Sequence, residues 1–138
     1  SRETEMFRLA DRFLVPCCAI LLPLAAHTSP QLAVYLRNYY TEYQVIKECV
    51  ARDHLQAADV VTAKTAITKI ETYYLRRDSS INKASLLKQA VKNKNAAFKM
   101  MSGTNKIDPR EFCLGSLHDL LGKSNDIVAD TAPEKSGS

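Results

Sequence analysis

Four long runs in this chain place apolar side chains mostly three or four positions apart, and a short polar break closes the first three. That spacing follows the turn of an α-helix and not the two-residue alternation of a strand. The first run opens at Ser29-Pro30, which reads as an N-cap and first helical position, and continues to about Arg52. Its stripe is Leu32, Tyr35, Leu36, Tyr39, Tyr43, Ile46, Cys49 and Val50, with Asp53 or His54 as the breaker. The second covers about 55–77 with Val60, Ala63, Ile67, Ile70 and Tyr74 inward, and Asp78, Ser79 and Ser80 follow as turn or cap residues, with a run on to Asn82 as the alternative. The third carries Ile81, Ala84, Leu87, Val91, Phe98 and Met101 and stops at Ser102-Gly103, where the glycine is expected to cap the helix. The fourth starts at Asp108-Pro109-Arg110-Glu111, with Asp108 as the cap, Pro109 as the first helical residue and Glu111 placed to reach back. Phe112, Leu114, Leu117, Leu120, Leu121, Ile127 and Val128 form its stripe. Gly115 and Gly122 interrupt it, either weakening the helix or allowing a close neighbour.

Long helices joined by short links pack against antiparallel neighbours. The expected fold is all-α, an up-down-up-down four-helix bundle with an additional N-terminal helical and apolar segment. Residues 1–30 would form that segment, 31–130 the bundle and 131–138 a flexible tail. In the N-terminal part, Thr4 to Val15 puts Met6, Phe7, Ala10, Phe13 and Leu14 on one helical face, and Pro16 ends or kinks it. Phe13 to Ala26 resembles the apolar region of a secretion signal. Glu3, Glu5 and Asp11 before it, and Pro16 and Pro23 within it, argue against removal, and it is too short to span a bilayer. The chain opens on Ser1 and not on Met, which is expected of a processed or trimmed form. With 138 residues there is chain enough for one domain, and 46 % hydrophobic residues suffice for its core.

The net charge of +4 conceals an asymmetry. Residues 61–106 hold 10 basic and 2 acidic side chains, while the flanking stretches are slightly acidic. Such a field steers a protein toward a negative partner. The expected electrostatic docking residues are Arg76, Arg77, Lys83, Lys88, Lys92, Lys94 and Lys99. Phe13, Leu14, Ile20, Leu21 and Leu22 are the expected apolar docking residues, with core packing as their other reading. Nothing resembles a nucleic-acid-binding motif, so nucleic acid is not an expected partner.

No catalytic constellation, cofactor motif or metal-ligand spacing is legible, and the chain is expected not to be an enzyme. His27, His54 and His118 share no ligand spacing, and Asp108 with Glu111 is explained by capping. Tyr35, Tyr39, Tyr40 and Tyr43 sit at helical spacing and suit core or interface packing. The cysteines Cys17, Cys18, Cys49 and Cys113 are expected as buried free thiols, or as a disulfide from Cys17 or Cys18 to Cys49 or Cys113.

The stretch Tyr43 to Asn82 closes on Tyr74, Leu75, Arg76 and Asp78, with Ile81 or Asn82 beyond. This order resembles the central part of the PsbQ-like extrinsic proteins of photosystem II, which carry a helix ending in an I-x-x-V-K-type segment, a polar break, and then a helix closing on a YLR-x-D-x-x-x-I signature. The lysine-rich run Leu86 to Met101, the break at Gly103 and the final run Pro109 to Val128 follow in that family's order. The link before the last helix is shorter than in the plant protein and no proline-rich leader is present, so the resemblance is to the divergent red-lineage algal and diatom type. It implies a lumenal, membrane-peripheral subunit in the chloroplast thylakoid that docks on the photosystem II core and its other extrinsic subunits. Such a subunit helps to retain calcium and chloride at the oxygen-evolving centre and binds no manganese itself. The alternative is a helical adaptor or effector module that binds an acidic protein outside photosynthesis.

Overall fold

A computed structural model describes residues 29–103 and 106–131. The expected helix over 4–15, the apolar docking residues Phe13, Leu14, Ile20, Leu21 and Leu22, Cys17 and Cys18, and the tail over 132–138 lie outside the described residues. Four helices make up the fold: α1 (Ser29–Ala51), α2 (Ala57–Arg77), α3 (Lys83–Ser102) and α4 (Pro109–Thr131). No strand occurs among the described residues, and the architecture is an all-α four-helix bundle.

Each helix end has a local cause. α1 stops where Asp53 adopts φ 62°, in the left-handed region. The N–H of His54 then bonds the Cys49 carbonyl at 2.8 Å and that of Asp53 bonds Val50 at 3.1 Å, the paired closure of a Schellman turn. α2 begins with the Gln56 N–H donating to Asp59 Oδ2 at 2.8 Å. After α2, Asp78 Oδ1 accepts from the Ser80 N–H at 3.0 Å and fixes the turn. Asn82 caps α3 by accepting from the Ser85 N–H at 3.0 Å. Gly103 ends α3 at φ −83°, so a right-handed residue closes this helix and no glycine-specific conformation is involved. Asp108 Oδ1 accepts from the Arg110 N–H at 3.0 Å at the start of α4.

The core is assembled from all four helices. Leu36, Tyr40, Ile46, Ala63, Ala66, Ile67, Ile70, Tyr74, Leu86, Ala90, Leu117, Leu120 and Ile127 form the main cluster. Val45, Cys49, Phe98, Met101 and Cys113 form a second, packed against Phe112 and Leu55. α2 and α4 run side by side with Cα atoms within 8 Å of each other along their contact. Their N-terminal ends share one groove, through Gln56, Asp59, Arg110 and Leu114, and their C-terminal halves share another. They are therefore parallel, the relation between second and fourth helices of an up-down-up-down chain. The small side chains of Ala63 and Ala66 on the buried face of α2 leave room for that approach.

Several expected inward positions differ. Tyr35 and Val91 are about two-fifths exposed, Ala84 and Val128 face solvent, and Tyr40, Val45, Leu86, Ala90 and Cys113 are buried in addition. In the first half of α3, Leu86 and Ala90 are buried, Leu87 packs partly buried against the core as expected and Val91 is exposed; Phe98 and Met101 point inward as expected. Gly115 and Gly122 have open space where a Cβ would stand, so neither serves a close helix contact.

The cysteine expectation is overturned. Cys49 and Cys113 are fully buried and bonded to each other, with Cα atoms 6.0 Å apart. The sequence offered Cys17 and Cys18 as partners for them. The bundle instead brings the end of α1 and the start of α4 to the same level, 64 residues apart in the chain.

Candidate functional site

Three surface features carry polar chemistry. The first is the lysine face of α3. At about 100° per residue, Lys88, Lys92 and Lys99 fall within about 40° of one another on the side away from Leu86 and Ala90. All three are exposed, and no ion pair to them is formed among the described residues. The other expected docking cations lie elsewhere. Lys83 points back and pairs with Glu71 at 2.8 Å. Glu71 also accepts a 2.7 Å hydrogen bond from the hydroxyl of buried Tyr40. That bond adds to burial in pushing the Tyr40 phenol well above its usual pKa. Lys94 is half-buried.

The second feature is a groove of about 340 Å³ between the C-terminal halves of α2 and α4. Lys69, Arg76 and Arg77 line one wall with Tyr73, and Ile127 and Val128 line the other. The Arg77 guanidinium lies 3.3 Å over the Tyr73 ring and donates from Nη1 to the Tyr73 carbonyl. Of the signature residues only Arg76 reaches this groove. Tyr74 is buried and packs 6.3 Å from the Tyr39 ring and 5.2 Å from Tyr73, Leu75 packs against the core, and Asp78 holds the turn.

The third feature is an open groove of about 370 Å³ between α1 and α4, lined by Tyr39, Glu42, His118, Asp119, Gly122, Lys123 and Asp126. Glu42 is pushed up to about 8, first by burial and then by the nearby charge of Asp119. Its Oε2 is buried with no hydrogen-bond partner among the described residues. The Lys123 ammonium stands 5.7–6.0 Å from the ring centroids of Tyr39, Tyr73 and Tyr74. Burial beside Asp119 therefore favours the protonated form of the Glu42 carboxyl. No group of three or more His, Cys, Asp or Glu side chains suited to a metal ion occurs among the described residues.

Sequence reasoning did not single out Glu42, Asp119, Lys123, Lys69 or Tyr73. One signal was available for Glu42: it occupies a place in the apolar stripe between Tyr39 and Tyr43, where a carboxylate must find a partner or a proton.

By fold and surface this is a small helical bundle with two separate basic features and one acid–base groove. No protein-family model, curated protein or solved structure matches the chain. No helix among the described residues is long and apolar enough to cross a membrane.

Proposed function

We propose that the chain is a non-catalytic docking subunit that presents the α3 lysine face to an acidic partner surface. The observation that carries this reading is the alignment of Lys88, Lys92 and Lys99 on one exposed stripe about 16 Å long, turned away from the core. Charges so placed contribute little to the bundle itself and are screened over about 8 Å at physiological salt. The Cys49–Cys113 disulfide suits an oxidising compartment.

The finer reading rests on the sequence resemblance. The partner would be the lumenal face of photosystem II with its other extrinsic subunits, and the role would be retention of calcium and chloride at the oxygen-evolving centre. The alternative is an adaptor or effector module with an acidic partner outside photosynthesis. One observation favours it: Tyr74 and Asp78 serve the core and the helix-end turn, a demand unconnected with any particular partner.

Co-purification of the tagged chain from its native source, followed by a moderate-salt wash, tests both. Photosystem II subunits released by the wash support the finer reading, and another acidic assembly supports the alternative. Charge reversal at Lys88, Lys92 and Lys99 is expected to abolish capture while helix content stays unchanged. Capture that survives both the reversal and high salt would refute electrostatic docking.

A further inference from the structure

The groove between the C-terminal halves of α2 and α4 holds three cations above an apolar floor, and no carboxylate lines it among the described residues. Part of this has a structural cause. Arg76 and Arg77 stand in the last turn of α2, where cations complement the helix dipole. That effect fades within a turn, and Lys69 lies about 12 Å up the axis from the helix end. The dipole also does not account for Val128, 47 % exposed beside them.

Further details describe a preorganised receptor. Thr68 and Thr72 line the groove too, but their hydroxyl hydrogens are taken by the carbonyls of Lys64 and Thr68, so the cations are left as its anion-binding groups. Arg77 is held by the Tyr73 ring and carbonyl, which leaves its other N–H groups for an incoming anion at reduced entropic cost. A ligand that fits must bring anionic groups and an apolar group within a few ångströms of each other.

We infer that this groove binds a short acidic peptide segment of a partner protein, with carboxylates on Lys69, Arg76 and Arg77 and an apolar side chain against Tyr73, Ile127 and Val128. The site is distinct from the lysine face, and it rests on the docking reading only for the sign of the partner's charge.

The test uses the full chain and a fluorescent, end-capped peptide of alternating leucine and glutamate, read by anisotropy. A capped oligoglutamate serves as a control. Arg76→Gln with Arg77→Gln is expected to weaken leucine–glutamate binding by about tenfold or more, the loss of charge-assisted hydrogen bonds. Val128→Gln should weaken it by about fivefold, the loss of one partly buried apolar contact. The triple reversal at Lys88, Lys92 and Lys99 should leave it within about twofold, because the two features lie apart. Circular dichroism confirms that each variant is folded. Equal binding of oligoglutamate, an equal loss from the α3 reversal, or preference for anionic lipid vesicles over the peptide would overturn the proposal. These outcomes are independent of the native co-purification, so a failed groove and a failed docking reading are distinguishable.

Discussion

Opening the Cys49–Cys113 bond is the perturbation whose effect follows most directly from the structure. The cross-link joins residues 64 apart in sequence. Closing a loop of that length removes about 14 cal/mol/K of chain entropy from the unfolded state, or about 4 kcal/mol at 25 °C. Domains of this kind are stable by about 5–15 kcal/mol, so the bond is a large share of the total. Reduction is the cleanest perturbation, because it leaves both sulfur atoms in the cluster with Val45, Phe98 and Met101 and adds no cavity. With a urea slope of about 2 kcal/mol/M, the midpoint should fall by about 2 M. Cys49→Ala with Cys113→Ala should fall further, since lost packing adds to lost entropy. Urea unfolding by circular dichroism, with and without reductant, reads both. Peptide mapping of the unreduced chain should recover the Cys49–Cys113 link. An unchanged midpoint on reduction, or a link from either residue to Cys17 or Cys18, would refute the reasoning.

Other perturbations separate the remaining interactions. Tyr40→Phe removes the 2.7 Å bond to Glu71 and should cost about 1.5–3 kcal/mol in urea unfolding, the range for a hydrogen bond to a charged group. Gly115→Ala and Gly122→Ala meet only open space, and each should raise stability by about 1 kcal/mol. Asp53→Gly should raise it by about 1 kcal/mol, because glycine takes the left-handed conformation without a Cβ penalty. Glu42 supplies a pH signature. Its folded pKa of about 8 lies above its usual 4.5, so the native chain binds more protons than the unfolded chain between those values. Its contribution is full below about pH 4.5 and lost as pH rises through about 8. Glu42→Gln should flatten that part of the pH–stability curve, and a wild-type-like slope in the variant would exclude Glu42 as its source.

Much of the bundle follows from local signals in the sequence. The 3.6-residue periodicity names all four helices. The Asn82 cap of α3 emerged only in the structure, whereas Asp53, Asp108 and Pro109 mark ends that depend only on neighbouring backbone. Those interactions close within a few residues, so they are present in the linear order. The basic excess of 61–106 is likewise a fact of composition.

What required the tertiary structure was every choice between locally equivalent options. In the first half of α3, Leu86-Leu87 and Ala90-Val91 are neighbours about 100° apart, and only packing against the other helices buries Leu86 and Ala90 more deeply than Leu87 and Val91. The disulfide pairs residues separated by 64 positions because α1 and α4 meet at that level, which no spacing rule encodes. Seven cations that form one basic stretch in sequence are divided by the fold into an exposed face, a groove, an ion pair at Glu71 and a half-buried lysine. Glu42 is held toward its protonated form because the packed helices bury it and bring Asp119, 77 residues on in the numbering, near it on α4. A helix is determined by its own neighbours, whereas a site is determined by which helices meet, and that outcome belongs to the packed chain.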